Sequence, residues 1–190
     1  MFSKIHKNAK LNGFNVSYDL TSYPAGTYSD TKASKEGQVP LKIVRGSLDT
    51  LDNIPQAVLD NAPYDSIMTS FSLCTAKDPE SSLKNIFKLL KPGGTYHFID
   101  HVRHPKQGDP FVVEGSGVNA WIWGKIQDWL TPLWKVIAHG CHLNRRTGET
   151  IVSMRCWKDT ECKTIRRSGD LVALIMPLTM GKAVKPDDSE

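Results

Sequence analysis

The stretch from Tyr64 to Val102 constrains the fold most, because it reads as a strand, a helix and a second strand with short connections. The apolar run 65–73 predicts the first strand, and Pro79 opens a helix whose apolar residues recur every three or four positions. The KPGG sequence at 91–94 ends that helix, since proline cannot continue it and glycine accepts the left-handed conformation. Residues 95–101 predict the second strand. Such a unit forms a right-handed crossover in a parallel sheet, which indicates an α/β fold.

The remaining elements are placed by apolar periodicity and by glycine and proline punctuation. Before the central block, the sequence predicts a helix at 1–12, an exposed loop at 22–38, a strand at 41–46 and a partly helical segment at 48–59. After it, the sequence predicts a loop at 105–119, a tryptophan-rich helix at 120–138 bent at Pro132, a helix or strand at 152–157, and strands near 163–165, 171–176 and 181–185.

Length and charge limit the function classes. A chain of 190 residues suffices for one α/β core and is too short for two ordinary domains, so we expect a single domain over 1–190, with its core at 40–185 and a solvated tail at 186–190. The net charge of +4 is spread along the chain, which argues against a nucleic-acid binder.

Cysteine usage and hydropathy indicate the compartment. The four cysteines are scattered without a CxxC spacing, and the first ten residues lack the apolar run of a secretion signal. No apolar stretch approaches the roughly 20 residues that cross a bilayer. We therefore expect free thiols, no membrane span and a cytoplasmic protein.

The central block YDSIMTSFSLCTAKDPESSLKNIFKLLKPGGTYHFIDHV (64–102) resembles the corresponding block of class I, S-adenosylmethionine-dependent methyltransferases. It is most similar to the small thiol and quinone-type enzymes, and the similarity continues through LTPLWKVIAHGCHLNRRT (130–147) and PLTMGKAVK (177–185). The resemblance implies a Rossmann-like fold with a mostly parallel sheet and an antiparallel C-terminal strand.

The glycine-rich cofactor loop of that family has no evident counterpart. The family places a GxGxG loop after its first strand and an acidic residue after its second. Gly13 and Gly26 are isolated, and the glycines of EGSG at 114–117 would serve only in a permuted fold and are one residue short of the family spacing. We therefore expect a truncated fold that binds no cofactor.

Candidate catalytic and binding residues lie at the carboxyl ends of the two central strands, where ligands bind in doubly wound sheets. Asp100 and His101 form a candidate acid/base pair, since imidazole titrates near neutrality. The alternative is a strand-end pair that caps local backbone. Ser72, Leu73 and Cys74 end the other strand and are candidate substrate-binding residues.

The helix at 120–138 supplies further candidates for substrate binding. Trp121 and Trp129 are about two turns apart, so their rings can line one wall of an apolar pocket. The alternative is that they pack on the sheet. His139 stands where the segment of the thiol enzymes has an acid.

A metal site is not expected. A strand places His97 and His101 on one face and His104 on the other. Cys74 and Cys141 are expected to be buried small apolar residues rather than nucleophiles, because no fixed base can be assigned to either.

Three functions follow, in order of preference. The first is a cyclase or pericyclase of natural-product biosynthesis that acts on an apolar small molecule without methylating it. The second is an S-adenosylmethionine-dependent small-molecule methyltransferase whose site is completed by more chain or by a partner. The third is a non-catalytic partner subunit.

Loss of the family's first strands would expose one edge of the strand at 66–73, and an open apolar edge invites pairing. Either the strand at 41–46 shifts across to that edge, or a second copy covers it. We therefore expect a homodimer, because a twofold pairing of identical edges is the simplest closed assembly.

Overall fold

A computed structural model describes residues 15–18, 40–44, 46–105, 112–114, 120–165 and 175–188. The chain divides into two compact units, Met1–Asn61 and Ala62–Glu190, and each is described by itself. The helix predicted at 1–12 and the loop predicted at 22–38 lie outside the described residues, as does most of the strand predicted at 171–176. A single domain over the whole chain stays a prediction.

The first unit contains a small parallel sheet and two short helical turns. Strands β1 (Asn15–Tyr18) and β2 (Pro40–Ile43) pair in parallel, with Val16 opposite Leu41. A 3-10 turn at Leu51–Asn53 and helix α1 (Gln56–Leu59) follow. Both the strand predicted at 41–46 and the helical character predicted at 48–59 are confirmed, although the strand ends earlier.

A five-stranded mixed sheet forms the second unit. Its strand order is β3-β4-β7-β6-β5. The β3–β4 and β5–β6 pairs are parallel, and β7 is antiparallel to both of its neighbours. The other four strands run in one direction and only β7 is reversed, so the predicted mostly parallel sheet with an antiparallel C-terminal strand is confirmed. The strands are β3 (Tyr64–Ser70), β4 (Leu90–His101), β5 (Val112–Glu114), β6 (Asp159–Ile165) and β7 (Leu178–Val184).

The predicted strand, helix and strand block is present, and its helix begins where the sequence places it. Helix α2 (Pro79–Leu89) has proline in its first turn, and the Asp78 side chain accepts hydrogen bonds from the backbone N–H groups of Glu80 at 3.0 Å and Ser81 at 3.2 Å. These bonds satisfy two donors that a helix start leaves unpaired. The helix buries Leu83, Ile86 and Leu89.

Strand β4 begins at Leu90, five residues before the predicted start. Gly93 adopts a φ of 70°, a left-handed conformation that suits glycine. The pairing with β3 is irregular at this point, because Tyr64 lies opposite Leu90 whereas Ser66 lies opposite Thr95. The glycine pair thus makes a kink within the strand instead of a separate loop.

Two further helices complete the second unit. Helix α3 (Ala120–Ile137) confirms the tryptophan-rich helix, with Pro132 inside it. Helix α4 (Thr147–Ser153) lies a few residues earlier than the helix or strand predicted at 152–157. Helix α2 packs on β4, and α4 packs on β6 and β7, so these helices cover one sheet face. No helix in the part of the chain that the structure describes is long and apolar enough to cross a membrane.

Strand β3 is at one edge of the five-stranded sheet. Strand β2 pairs with β1 in a separate two-stranded sheet. Among the described strands, the strand predicted at 41–46 therefore does not pair with the strand predicted at 66–73. Coverage of the β3 edge by a second copy stays a prediction.

Candidate functional site

The carboxyl ends of β3 and β4 are joined through the side chain of Asp100. Its two carboxylate oxygens accept hydrogen bonds from the backbone N–H groups of Leu73 at 3.2 Å and Cys74 at 3.4 Å. Asp100 is fully buried, and this burial raises the pKa of its carboxyl group against the lowering effect of the bonds from Cys74 and Leu73. Asp100 therefore fixes the turn after β3 against the last residues of β4.

His101 is buried beside Asp100 and contacts a cysteine. Its Nε2 atom lies 2.7 Å from Sγ of Cys141, and only 2% of the residue is exposed. Burial lowers the pKa of His101 to about 4, so the imidazole is neutral at pH 7. Phe71, which adopts a left-handed φ of 50°, brings its ring centroid within 6.4 Å of that of His101.

Two cysteines and His101 form one buried group. One potential metal-ligand atom from each of Cys74, His101 and Cys141 lies within 4.8 Å of the other two. The backbone oxygen of Cys74 accepts a hydrogen bond from the N–H group of His142 at 2.9 Å, which holds the turn after β3 next to the loop after α3. Burial raises the pKa of the Cys74 thiol, with Asp100 and Cys141 adding to the effect. We call these three residues the Cys-His-Cys cluster.

A glutamine of α3 ties the surrounding segments together. The side-chain nitrogen of Gln127 donates to the backbone oxygens of Val102 at 3.0 Å, Leu143 at 3.1 Å and Ile175 at 2.8 Å. Its side-chain oxygen accepts from the N–H group of His104 at 2.7 Å. Gln127 is fully buried, and its amide contacts four backbone groups in three segments, with its two N–H groups shared among the three carbonyl oxygens.

An ion pair at the edge of the site holds α3 to the end of β4. The Arg103 guanidinium donates to both carboxylate oxygens of Asp128, and Asn144 donates to the same carboxylate at 3.0 Å. The bonds from Arg103, and then that from Asn144, lower the pKa of Asp128 to about 2. The Arg145 guanidinium in turn donates to the backbone oxygen of Leu73.

The structure brings together four of the residues predicted for the site, namely Leu73, Cys74, Asp100 and His101. Ser72 lies in the same turn but is exposed, and its hydroxyl donates to the backbone oxygen of Ser70 at 3.1 Å.

The other three predicted residues are exposed. Trp121 and Trp129 are 74% and 80% exposed on α3. His139 is exposed after that helix, with a left-handed φ of 49°. Their roles in binding a substrate stay predictions.

Two features of the site were missed in the sequence. Cys141 was treated only as a small apolar residue, and nothing in its sequence neighbourhood indicates a contact with a histidine 40 positions away. For Gln127 the sequence contains one indication, because it is a polar side chain among the apolar residues of α3.

A hollow of about 410 Å³ lies against strands β3, β4, β6 and β7. Met68, Ile99 and Met180 line it together with the charged groups of Lys163 and Lys182. Met68 is 70% exposed, so this face of the sheet is open within the second unit.

Comparisons with known proteins identify the family. Residues 9–98 match the family described as "Methyltransferase domain". The chain is 32% identical over 103 residues to the thiol S-methyltransferase TMT1B of Rattus norvegicus, covering 54% of this chain and 33% of that protein. It is 30% identical over 134 residues to TMT1B of Homo sapiens, covering 67% of this chain and 46% of that protein.

The matched region thus spans between a third and a half of these relatives. A solved structure from Thermotoga maritima, of a methyltransferase described as a possible histamine N-methyltransferase, aligns with a TM-score of 0.46 at 16% identity, over 78% of this chain and 65% of that one. From the family match and the curated relatives together, the chain belongs to the class I S-adenosylmethionine-dependent methyltransferases and is homologous to the thiol S-methyltransferases.

Proposed function

We propose that this protein takes part in the transfer of a methyl group from S-adenosylmethionine to a small thiol. The observation that carries the proposal is the similarity to the two thiol S-methyltransferases, at 32% and 30% identity. Because the matched region is less than half of each relative, the acceptor is proposed for this chain rather than taken from them. These relatives support the second of our three hypotheses better than the cyclase that we placed first.

Cofactor binding is part of this proposal. The match to the family begins at residue 9, so it includes the first unit as well as the central block. This extent supports binding of S-adenosylmethionine more than the expected loss of it, although the glycine spacing of the family loop is not evident in the sequence. Bound S-adenosylmethionine supplies an electrophilic methyl group on a sulfonium.

In this proposal the side chains of the turn after β3 contact the cofactor. Its backbone is already engaged, since the N–H groups of Leu73 and Cys74 bind Asp100 and the Leu73 oxygen binds Arg145. Phe71 is 48% exposed, and it offers an aromatic ring at the carboxyl end of the strand. The hydrogen bonds of Leu73 and Cys74 fix the turn and leave the Phe71 ring exposed. A turn ordered before binding is preorganised, which lowers the entropic cost of binding.

The described residues contribute positioning rather than a strong base. A thiol acceptor reacts as the thiolate, which forms readily because a free thiol has a pKa of about 8.5. His101 has a pKa lowered to about 4, so it is too weakly basic to hold the thiol proton at pH 7. We propose that Asp100 acts as a positioning residue, because it fixes the turn that carries Phe71.

The test combines binding with turnover. Calorimetric titration of the chain with S-adenosylmethionine and S-adenosylhomocysteine should give a dissociation constant in the micromolar range. Transfer of a labelled methyl group should occur to 2-mercaptoethanol and not to ethylene glycol, which has the same carbon skeleton without the thiol. Absence of binding by either cofactor form at millimolar concentration, in a folded protein, would contradict the proposal.

A matched pair of variants tests the turn. Phe71→Ala should weaken S-adenosylmethionine binding about five- to tenfold, as expected for loss of one aromatic contact. Met68→Ala, which shortens another exposed apolar side chain of the same strand, should leave the affinity unchanged. Equal affinities for the two variants would exclude the turn as the binding surface.

A further inference from the structure

We propose that the Cys-His-Cys cluster is a binding site for one divalent metal ion of the zinc type. The cluster consists of Cys74, His101 and Cys141, whose potential ligand atoms all lie within 4.8 Å of one another. All three residues are buried, with exposed fractions of 1%, 2% and 6%. The proposal concerns a metal site in the chain itself and does not depend on methyl transfer.

Three separate elements bring these ligands together, so the group is built by the tertiary fold. Cys74 follows β3, His101 ends β4 and Cys141 lies in the loop after α3. The hydrogen bond from the His142 N–H group to the Cys74 oxygen holds the two cysteine segments together at 2.9 Å. This backbone bond therefore holds the two cysteine segments next to each other before any ion arrives.

The donor set matches the chemistry of zinc. Zinc prefers thiolate and imidazole ligands, and two cysteines with one histidine are a known set for sites that keep a fourth position for water or a substrate. Two thiolates balance the charge of one divalent ion, so the occupied cluster is electrically neutral. Neutrality matters because an unbalanced charge in a buried site is strongly unfavourable.

Asp100 holds the ligand Cys74 in place through a hydrogen bond to its backbone. It accepts the hydrogen bond from the Cys74 N–H group at 3.4 Å and is itself fully buried. Groups outside the ligand shell orient metal ligands by hydrogen bonds in many sites, and here the bond goes to the backbone of the ligand Cys74. A cysteine that only fills space would not need such a hydrogen bond to its backbone.

A packing role for the cluster does not explain why a polar imidazole, that of His101, is buried in it. One ring nitrogen contacts Cys141, and the other is buried with no hydrogen-bond partner in the part of the chain that the structure describes. Buried polar groups normally have partners. If Cys74 and Cys141 only filled space, an apolar residue at position 101 would pack beside them equally well. If they formed a disulfide, no histidine would be required.

The experiment measures metal directly. The full chain is purified under reducing conditions without added metal, and its zinc content is determined by mass spectrometry. The metal-free chain is then titrated with cobalt, whose bonds to thiolates give strong absorption in the near ultraviolet. We expect about one zinc ion per chain and saturation at one cobalt ion, with release of protons on binding.

Variants distinguish the cluster from the other thiols. Cys74→Ser, Cys141→Ser and His101→Gln should each lower metal affinity by at least tenfold, the lower end of what loss of even an outer-shell partner costs. Cys156→Ser and Cys162→Ser change the two cysteines that are only partly buried and should retain the metal. Retention of zinc by both Cys74→Ser and Cys141→Ser would overturn the proposal.

A second measurement on the unmodified chain guards against variants that do not fold. Zinc should raise the midpoint of thermal unfolding of the metal-free chain, because a ligand that binds only the folded state stabilises it, and a chelator should reverse that rise. A folded chain with no zinc and no cobalt absorption would overturn the proposal. An intact mass showing a Cys74–Cys141 disulfide under the same reducing conditions would overturn it as well.

Discussion

Replacement of Gln127 by leucine should cost the second unit much of its stability. The change removes the amide that binds the backbone oxygens of Val102, Leu143 and Ile175 and the N–H group of His104. A buried backbone group without a partner costs about 1 to 3 kcal/mol, and the two N–H groups and one oxygen of the amide make three full hydrogen bonds, so even the lower value predicts a loss of about 3 kcal/mol. A typical domain has a free energy of unfolding of about 5 to 15 kcal/mol.

Urea unfolding followed by tryptophan fluorescence measures this loss selectively. All five tryptophans lie at or after position 121, so the signal reports on the second unit. Lys125→Leu is the control, because it introduces the same side chain at an exposed position of α3 and should change the free energy of unfolding by less than about 0.5 kcal/mol. A loss below about 1 kcal/mol for Gln127→Leu, at an unchanged slope with urea, would refute the reasoning.

Four further predictions use simpler measurements. Asp78→Ala should lower the free energy of unfolding in urea by about 1 kcal/mol through loss of the α2 cap, and no change would argue against that cap. In metal-free protein, the pKa of His101 is about 4 in the folded chain and 6.5 in the unfolded chain. The contribution of His101 to the free energy of unfolding is therefore full above pH 6.5 and is lost by pH 4, a change of about 3 kcal/mol. Urea titrations across that range should show this slope, and His101→Gln should remove it; the same slope in both proteins would contradict the assignment. Trp121→Ala should leave the unfolding free energy within about 0.5 kcal/mol while lowering kcat/KM for the thiol, and unchanged kinetics would exclude the predicted pocket wall. Light scattering at micromolar concentration should give twice the chain mass of 21.2 kDa, and a monomer would refute the homodimer.

Local chemistry explains which parts of the fold the sequence could predict. Asp78 and Pro79 mark the start of α2 through capping and a fixed φ, and the helix begins there. The boundary after α2 was less predictable, because the same KPGG residues that end a helix also form a kink inside β4. The direction of β7 relative to its neighbours was implied only by the family resemblance, because apolar periodicity identifies a strand without giving its direction in the sheet.

The site was predictable only as far as strand ends reveal it. Asp100 and His101 were identified because carboxyl ends of strands meet at one edge of a sheet, and the structure places both beside Cys74. The partner of His101 was not predictable, since Cys141 reaches it through a loop whose path depends on tertiary packing. The helical period of α3 likewise predicts the helix but does not decide which tryptophans face solvent.

The central position of β7 has a consequence for the order of folding. Strands β3 and β4 form one parallel pair and β5 and β6 another, and among the described strands β7 alone joins the two pairs by hydrogen bonds. Residues Leu178–Val184 are the last described strand to be synthesised, so ribosome-bound chains that lack them hold two half-sheets with open inner edges. Such edges are templates for pairing with other chains. The nascent protein is therefore expected to depend on chaperones most strongly just before β7 leaves the ribosome.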